Sequence, residues 1–134
     1  MKRKGRKYTL EEILPHVHAP APYEWKRGVK VDRTGWYLTL DGDEVKVISP
    51  RLQVFKRSLT CVRCGLAGTF FVKEIGSKRD GRYHLNLYGV DGDGEEVLMT
   101  KDHIHPQAKG GSDNMDNLQT MCLPCNTRKA DTVD

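Results

Sequence analysis

Stretches in which apolar and polar residues alternate dominate the chain, and they predict β-strands rather than long helices. The first two stretches flank the turn residues 41–43 (Asp-Gly-Asp), so residues 35–40 and 44–48 are expected to form a β-hairpin. Three further strands are predicted after the hairpin, at residues 69–75, 82–90 and 95–104. Pro50 is expected to close the hairpin unit.

Two short helices are predicted beside these strands. Thr9 and Glu12 have the spacing of a capping box, which indicates a helix over residues 8–14 that Pro15 ends. The second helix is expected near the end of the chain, after a brief apolar run at residues 117–121. Strands and helices of this order predict an α+β protein.

The composition leaves little apolar material for a core. The chain has 134 residues, of which 37% are hydrophobic and 30% are charged. A domain of this size with so few apolar residues is expected to need a further stabilising device. No window approaches the roughly 18 apolar residues of a membrane span, and the charged start lacks the apolar region of a signal peptide. We therefore expect a cytoplasmic protein.

Positive charge is concentrated in the first part of the chain. Lys and Arg number 22 against 18 Asp and Glu, and residues 1–60 contain 13 of the basic and 7 of the acidic residues. Five of the first seven residues are basic, which is typical of a solvated arm that neutralises phosphates. A frayed tail without a partner is the alternative.

The four cysteines form two pairs, Cys61-Val-Arg-Cys64 and Cys122-Leu-Pro-Cys125. A gap of two residues lets both thiolates of a tight turn face one ion, so the pairs predict a tetrahedral zinc site. A redox pair or a disulfide is the alternative, and the absence of a signal peptide disfavours the disulfide. Four thiolates leave no open coordination position, so this zinc is expected to stabilise the fold without taking part in chemistry.

A polar set of side chains lies between and just after the cysteine pairs. It consists of Asp102, His103, Asn117 and Asn126, which a core would not need. A carboxylate and an amide oxygen are hard ligands that suit Mg²⁺ or Mn²⁺, and two protein ligands leave positions for water and phosphate oxygens. A neutral imidazole can take a proton from water near neutral pH. The set indicates a metal-assisted reaction.

Residues 61–129 resemble the HNH endonucleases in their zinc-containing form. The resemblance rests on motifs that occur here in the family's order: Cys-x-x-Cys, Asp-His-Ile-x-Pro, Gly-Gly, Asn-Leu-Gln and Cys-x-x-Cys-Asn-x-x-Lys. It implies the ββα-metal (His-Me finger) nuclease fold around a zinc site of four cysteines. It also implies hydrolysis of DNA phosphodiester bonds to 5′-phosphate and 3′-hydroxyl ends.

The resemblance also implies a role for each residue of the polar set. His103 matches the general base, and Asp102 matches a ligand of the catalytic Mg²⁺ or Mn²⁺. Asn126 matches the second metal ligand, a position that is often His in the family, so the chain is the His-Asn-Asn variant. Asn117 matches the residue that fixes the loop and orients the histidine.

Basic residues outside these motifs are candidates for contacts with the phosphate backbone of DNA. They are Lys2, Arg3, Lys4, Arg6, Lys7, Lys109, Arg128 and Lys129. For the last three, solvated surface charge is the alternative. His105 alternates with His103 along the predicted strand, so it either contacts a phosphate, supports the site or is a tolerated surface residue.

The chain is expected to consist of two parts. Residues 1–58 would comprise the basic arm, a short helix and the hairpin, and would extend the DNA contact, whereas residues 59–134 would form the zinc-stabilised nuclease domain. Trp25, Trp36 and Tyr37 belong either to a duplex-binding face or to the core of a small β-subdomain.

The expected substrate is double-stranded DNA, and the protein is expected to be a monomer or a homodimer. The small size and basic arm resemble phage-encoded members of the family, with a homing or packaging role, in a microbial or phage-infected cell. The alternative function is a zinc-stabilised nucleic-acid-binding module that has lost catalysis.

Overall fold

The computed structural model describes residues 2–18, 35–76 and 82–130, and this part of the chain combines one sheet with short helices. Its seven strands are β1 (Lys2–Thr9), β2 (Tyr37–Leu40), β3 (Asp43–Lys46), β4 (Gly68–Ile75), β5 (Tyr83–Val90), β6 (Glu96–His103) and β7 (Leu118–Cys122). Its α-helices are α1 (Leu10–Ile13), α2 (Pro50–Arg57) and α3 (Leu123–Lys129), with 3-10 helices at Leu14–His16, Gln107–Lys109 and Met115–Asn117. No helix within these ranges is long and apolar enough to cross a membrane. The expected mixture of helices and strands is confirmed.

Strands β4 and β5 form the centre of the sheet. They pair antiparallel from Gly68 opposite Gly89 to Ile75 opposite Tyr83, and β1 pairs antiparallel with the other side of β4. The first residue of β5 bridges to β3, whereas the last residues of β5 pair with β6. β6 then pairs antiparallel with β7. The sheet therefore connects the N-terminal strand to the strand pair that carries the candidate site residues.

The predicted hairpin is confirmed as β2 and β3. Asp41 and Gly42 form its two-residue turn with positive φ angles of 48° and 89°, which is the backbone that Asp-Gly favours. Lys73 of β4 is buried beneath the hairpin, where its Nζ donates to Leu40 O at 2.8 Å and to Asp43 Oδ2 at 2.7 Å. The hairpin is thereby attached to the centre of the sheet.

The N-terminal basic segment is a strand, so the expectation of a solvated arm was wrong. Its basic side chains pair with acidic groups of neighbouring elements at 2.7–3.0 Å: Arg3 and Lys7 with Glu96, Lys4 with Asp43, and Arg6 with Glu12. All four also lie over aromatic rings of the sheet: Arg3 over Tyr88, Lys4 over Tyr83, Arg6 over Tyr8 and Lys7 over Phe70. A run of basic residues does not reveal this arrangement, because all of these partners except Glu12 lie far away in the sequence.

The predicted capping box at the first helix is confirmed. Glu12 N donates to Thr9 Oγ1 at 3.1 Å, and Thr9 N donates to Glu12 Oε1 at 3.0 Å. The α-helix is shorter than the expected residues 8–14, because the buried Tyr8 still belongs to β1 and the chain tightens into a 3-10 helix at Leu14.

Helix α2 was not predicted from the sequence. Pro50 does not close the hairpin unit but begins α2, with Ser49 as its N-cap accepting from Leu52 N at 3.1 Å. Proline is well tolerated in the first helical turn, since its missing N–H would have no partner there. The pair Ser49-Pro50 therefore marks the start of a helix.

Helix α2 contacts the strand pair β6 and β7. Its Phe55 is fully buried in the core, and Arg57 at its end donates to Met115 O at 2.9 Å and to Leu118 O. The first half of the chain thus supports the loop and strand next to the candidate site. The division of the chain near residue 58 stays a prediction.

Of the three aromatic residues considered for a duplex-binding face, Trp36 and Tyr37 lie at the start of the hairpin and are half-buried. Lys46 Nζ lies 5.5 Å from the centre of the Trp36 ring. Trp25 lies outside the described residues. The duplex-binding role of these rings stays a prediction.

Candidate functional site

Asp102 lies near the end of β6 and is only 6% exposed. The register of the strand pair places it opposite Gln119 of β7, whose Nε2 donates to Asp102 Oδ2 at 2.8 Å. Lys129 Nζ of α3 lies 3.4 Å from the same oxygen. One oxygen of the buried carboxylate, Oδ2, is therefore contacted from two elements, by Gln119 of β7 and by Lys129 of α3.

Lys129 is itself 1% exposed, although a surface contact with phosphate was expected at this position. Its Nζ donates to His103 O at 3.0 Å, in addition to the ion pair with Asp102. Burial of a lysine is unfavourable unless the ammonium group is paired and hydrogen-bonded, and both conditions hold here. Lys129 thus joins α3 to the end of β6.

His103, the last residue of β6, has a side chain that is 16% exposed. Its Nε2 lies 2.7 Å from Asp113 Oδ1, and Gln107 Nε2 donates to the same oxygen at 2.8 Å. The hydrogen bond from His103 holds the pKa of Asp113 below its usual value. The imidazole is therefore hydrogen-bonded to Asp113 through Nε2, and this contact does not involve Nδ1.

Asn117 clamps the loop between β6 and β7. Its Oδ1 accepts from His105 N at 2.8 Å, and its Nδ2 donates to His105 O at 3.1 Å and to Ser112 O at 2.7 Å. Gly111 lies so close to the same backbone that an added Cβ would stand 1.8 Å from His105 O. The amide therefore holds both ends of the loop together, while its described contacts reach His105 rather than the His103 ring.

Asn126 lies on α3 and faces β6. Its Nδ2 donates to Thr100 Oγ1 at 2.9 Å, and Thr100 Oγ1 donates in turn to Met121 O at 2.6 Å. Because the amide nitrogen is committed to this contact, Oδ1 is the end that can act as a ligand.

One pocket of about 380 Å³ brings together three of the four predicted residues, Asp102, His103 and Asn126, whereas Asn117 is not among the residues that line it. Asp102 and His103 line it from β6, and Asn126 and Lys129 line it from α3. Lys101 also lines the pocket and contributes a positive charge. A carboxylate, an amide and an imidazole around one solvent-accessible pocket fit a hard divalent ion beside a general base.

The four cysteines converge at a second place. Their sulfur atoms lie within 4.8 Å of one another, and Cys64 Sγ lies 3.7 Å from Cys122 Sγ. A tetrahedron with Zn–S bonds of about 2.3 Å has sulfur–sulfur edges of about 3.8 Å. All four thiols are free of disulfides, and only Cys64 is exposed. The cluster can therefore hold a metal such as zinc.

The protonation of the cluster also favours a cation. Burial opposes ionisation of Cys61, but hydrogen bonds from nearby backbone amides outweigh it and lower the pKa of this thiol to about 6. Burial raises the pKa of Cys122 to about 12. One thiolate is thus stabilised by the backbone, whereas the Cys122 thiol needs a positive charge at the centre before it ionises near neutral pH.

The first cysteine turn is hydrogen-bonded to β7, the strand that ends at Cys122. Val62 N donates to Thr120 O at 3.1 Å, and Gly65, with a φ angle of 81°, closes the turn by donating to Cys61 O at 3.0 Å. Arg128 Nη2 of α3 donates to Cys125 Sγ at 3.2 Å. The cysteine cluster therefore anchors the start of α3, the helix that supplies Asn126 and Lys129.

The remaining candidates lie at the surface. His105 is exposed, and its Nε2 contacts Lys109 O at 2.9 Å, so it closes a turn of the loop. Lys109 and Arg128 are exposed. The other candidates for phosphate contacts lie on β1, and of these Arg3, Lys4, Arg6 and Lys7 carry the ion pairs described above.

Four side chains at the site were not predicted from the sequence: Gln119, Asp113, Lys101 and Thr100. Gln119 had a signal, because it belongs to the Asn-Leu-Gln motif and would face Asp102 in any antiparallel pairing of this register. Asp113 had none beyond its place in a turn-rich loop. Its contact with His103 depends on the path of that loop.

Comparison with known proteins agrees with this geometry. The family model of HNH endonucleases matches residues 92–134, the segment that contains β6, β7 and α3. Neither a curated protein nor a solved structure matches the chain at a significant level. The match covers Asp102, His103, Asn117 and Asn126 together with the second cysteine pair. The match over residues 92–134 therefore supports assignment of this segment to the HNH endonuclease family.

Proposed function

We propose that the protein is a metal-dependent DNA endonuclease whose active site is the pocket between β6 and α3. The observation that carries the proposal is the convergence of Asp102, His103 and Asn126 on that one pocket. Binding of nucleic acid alone would need none of these three side chains. The unit of two antiparallel strands and a helix, β6, β7 and α3, is proposed as the ββα-metal core.

The residues present fit a hard divalent ion. The Asp102 carboxylate and the Asn126 amide oxygen would hold Mg²⁺ or Mn²⁺, ions that prefer oxygen ligands. When bound, such an ion supplies positive charge to the oxygens of the scissile phosphate. Gln119 and Lys129 both contact Asp102 through Oδ2 and thereby fix the direction of the carboxylate.

His103 would act as the general base. With Nε2 turned to Asp113, its Nδ1 accepts a proton from water. The water oxygen forms a bond to phosphorus, and the bond from phosphorus to the 3′ oxygen breaks. The leaving oxygen takes a proton from solvent, so the products are a 5′-phosphate and a 3′-hydroxyl. Asn117 contributes by holding the loop that places Asp113.

The cysteine cluster is proposed to bind structural zinc. It anchors the start of α3, so zinc would fix the helix that supplies Asn126. Phosphate contacts are proposed for the exposed Lys109 and Arg128, together with Lys101 in the pocket. The basic side chains of β1 are weaker candidates, because most of them already have acidic partners.

The test is cleavage of supercoiled duplex plasmid by zinc-loaded protein with Mg²⁺, Mn²⁺ or chelator, followed by mapping of the ends. His103→Ala should reduce the rate by about 10²- to 10⁴-fold, the usual contribution of a general base, and should leave DNA binding in a gel-shift assay unchanged. His16→Ala is the matched control, since His16 is an exposed histidine of the first 3-10 helix.

Two results would overturn the proposal. The first is metal-dependent cleavage by His103→Ala at the wild-type rate. The second is DNA binding by the wild-type protein without cleavage in either ion, which would support the nucleic-acid-binding module instead.

A further inference from the structure

An exposed acidic residue of the loop after β6 contacts the histidine of the pocket. Asp113 Oδ1 lies 2.7 Å from His103 Nε2, although ten residues separate the two in sequence. We propose that Asp113 is a positioning residue, which accepts a hydrogen bond from His103 Nε2 and so keeps Nδ1 unprotonated and available as the base. This inference rests on the proposed function, because it assigns a partner to the proposed general base.

The chemistry of the two groups determines the direction of the hydrogen bond. A neutral imidazole has one nitrogen that donates and one that accepts, and an ionised carboxylate only accepts. The contact with His103 lowers the pKa of Asp113, so this group is a carboxylate near neutral pH. Nε2 must therefore carry the proton of the neutral ring, and Nδ1 is left as the acceptor.

The loop, rather than burial, holds Asp113 in place. Its side chain is 72% exposed, so solvent alone would leave it mobile. Gln107 Nε2 donates to the same oxygen at 2.8 Å and fixes the carboxylate from the other side. Asn117 ties the loop at Ser112, the residue directly before Asp113. These contacts place the carboxylate at the ring without enclosing it.

Because Asp113 is exposed, a positioning role for it can be distinguished from a structural one by experiment. Exposed ion pairs contribute only about 0–1 kcal/mol to folding, so removal of Asp113 should hardly change the stability of the protein. An effect on the His103 ring or on turnover would then reflect orientation rather than loss of the fold. Asp116 provides the matched control, because it is an exposed aspartate of the same loop.

The first measurement is the tautomer of His103 in zinc-loaded protein without Mg²⁺, read from the ¹⁵N shifts of the ring at a pH where the ring is neutral. The wild-type protein should show the Nε2–H form. Asp113→Ala should shift the ring towards a mixture of both tautomers, and Asp116→Ala should not. An unchanged tautomer in Asp113→Ala would overturn the inference.

The second measurement is steady-state cleavage of a duplex substrate with Mg²⁺. Asp113→Ala should lower kcat by about 10- to 100-fold, as expected for a misplaced catalytic group, with KM and the melting temperature near the wild-type values. Asp113→Asn keeps an acceptor oxygen and should recover part of the rate. An equal kcat for Asp113→Ala and Asp116→Ala would also overturn the inference.

The two measurements distinguish this inference from the proposed function. If wild-type protein does not cleave DNA while Asp113→Ala still changes the tautomer, the contact is supported and the nuclease proposal fails. If the wild-type protein cleaves DNA and the tautomer does not change, the nuclease proposal is supported and the role of Asp113 fails.

Discussion

Replacement of Lys129 by methionine tests how much the buried ammonium group stabilises the folded site. Lys129 is 1% exposed, and its Nζ lies 3.0 Å from His103 O and 3.4 Å from Asp102 Oδ2. Methionine retains an unbranched chain of similar length but removes the charge and both contacts. Asp102 would then be a carboxylate at 6% exposure without its cationic partner.

The size of the effect follows from this burial. Removal of one partner of a buried ion pair costs about 3–5 kcal/mol, because the remaining charge stays desolvated. Gln119 still donates to Asp102 Oδ2 in the variant, so we expect the lower end, about 3 kcal/mol. For a chain of this length, such a loss lowers the melting temperature by roughly 10 °C.

The assay is urea and thermal unfolding of zinc-loaded protein, with Thr127→Ala as the control for an exposed position on the same helix. A double-mutant cycle adds Asp102→Asn, which removes the uncompensated charge. The double variant should be more stable than the sum of the two single effects predicts, by about 1–3 kcal/mol.

A Lys129→Met protein whose free energy of unfolding lies within about 0.5 kcal/mol of the wild-type value, the usual range for surface substitutions, would show that Lys129 does not stabilise the site as a buried ion pair. If the same variant also lost DNA affinity with a reduced salt dependence, Lys129 would be a phosphate contact after all.

Two further predictions concern the loop and the cysteine cluster. Gly111→Ala would place a Cβ 1.8 Å from His105 O and should destabilise the protein by about 1–3 kcal/mol with loss of DNA cleavage. Gly92→Ala is its control, because an added Cβ there meets nothing within 4 Å. Equal melting temperatures and cleavage rates for the two variants would show that the close contact at Gly111 is not needed. Cys122→Ser should abolish stoichiometric zinc in a metal assay and lower the melting temperature, as a chelator should in the wild-type protein; a full zinc content would contradict the four-thiolate site.

Much of the fold could be predicted because its signals are local. The hairpin followed from alternation around Asp-Gly, and the capping box at Thr9 and Glu12 formed as expected. Strand β1 could not be predicted in this way. Five of its eight residues are basic, and it is a strand because β4 supplies the hydrogen-bond partners and Glu96 supplies a counter-charge.

The candidate site could likewise be predicted only in part. Asp102, His103 and Asn126 could be named as candidates from motif order, since the proposed reaction needs those chemical groups. The partners that orient them could not be named. Gln119 reaches Asp102 only through strand register, and Asp113 reaches His103 only through the path of a loop that Asn117 clamps.

The sequence by itself determined which chemical groups the protein has: two cysteine pairs, an acid next to a histidine, and an amide after the second pair. Only the tertiary structure decided which charges are paired and which remain available to a substrate. It converts the N-terminal basic residues into members of the sheet and Lys129 into a buried partner of Asp102. The reason is that burial and pairing depend on residues distant in sequence, whereas the type of a side chain determines its chemistry wherever it lies.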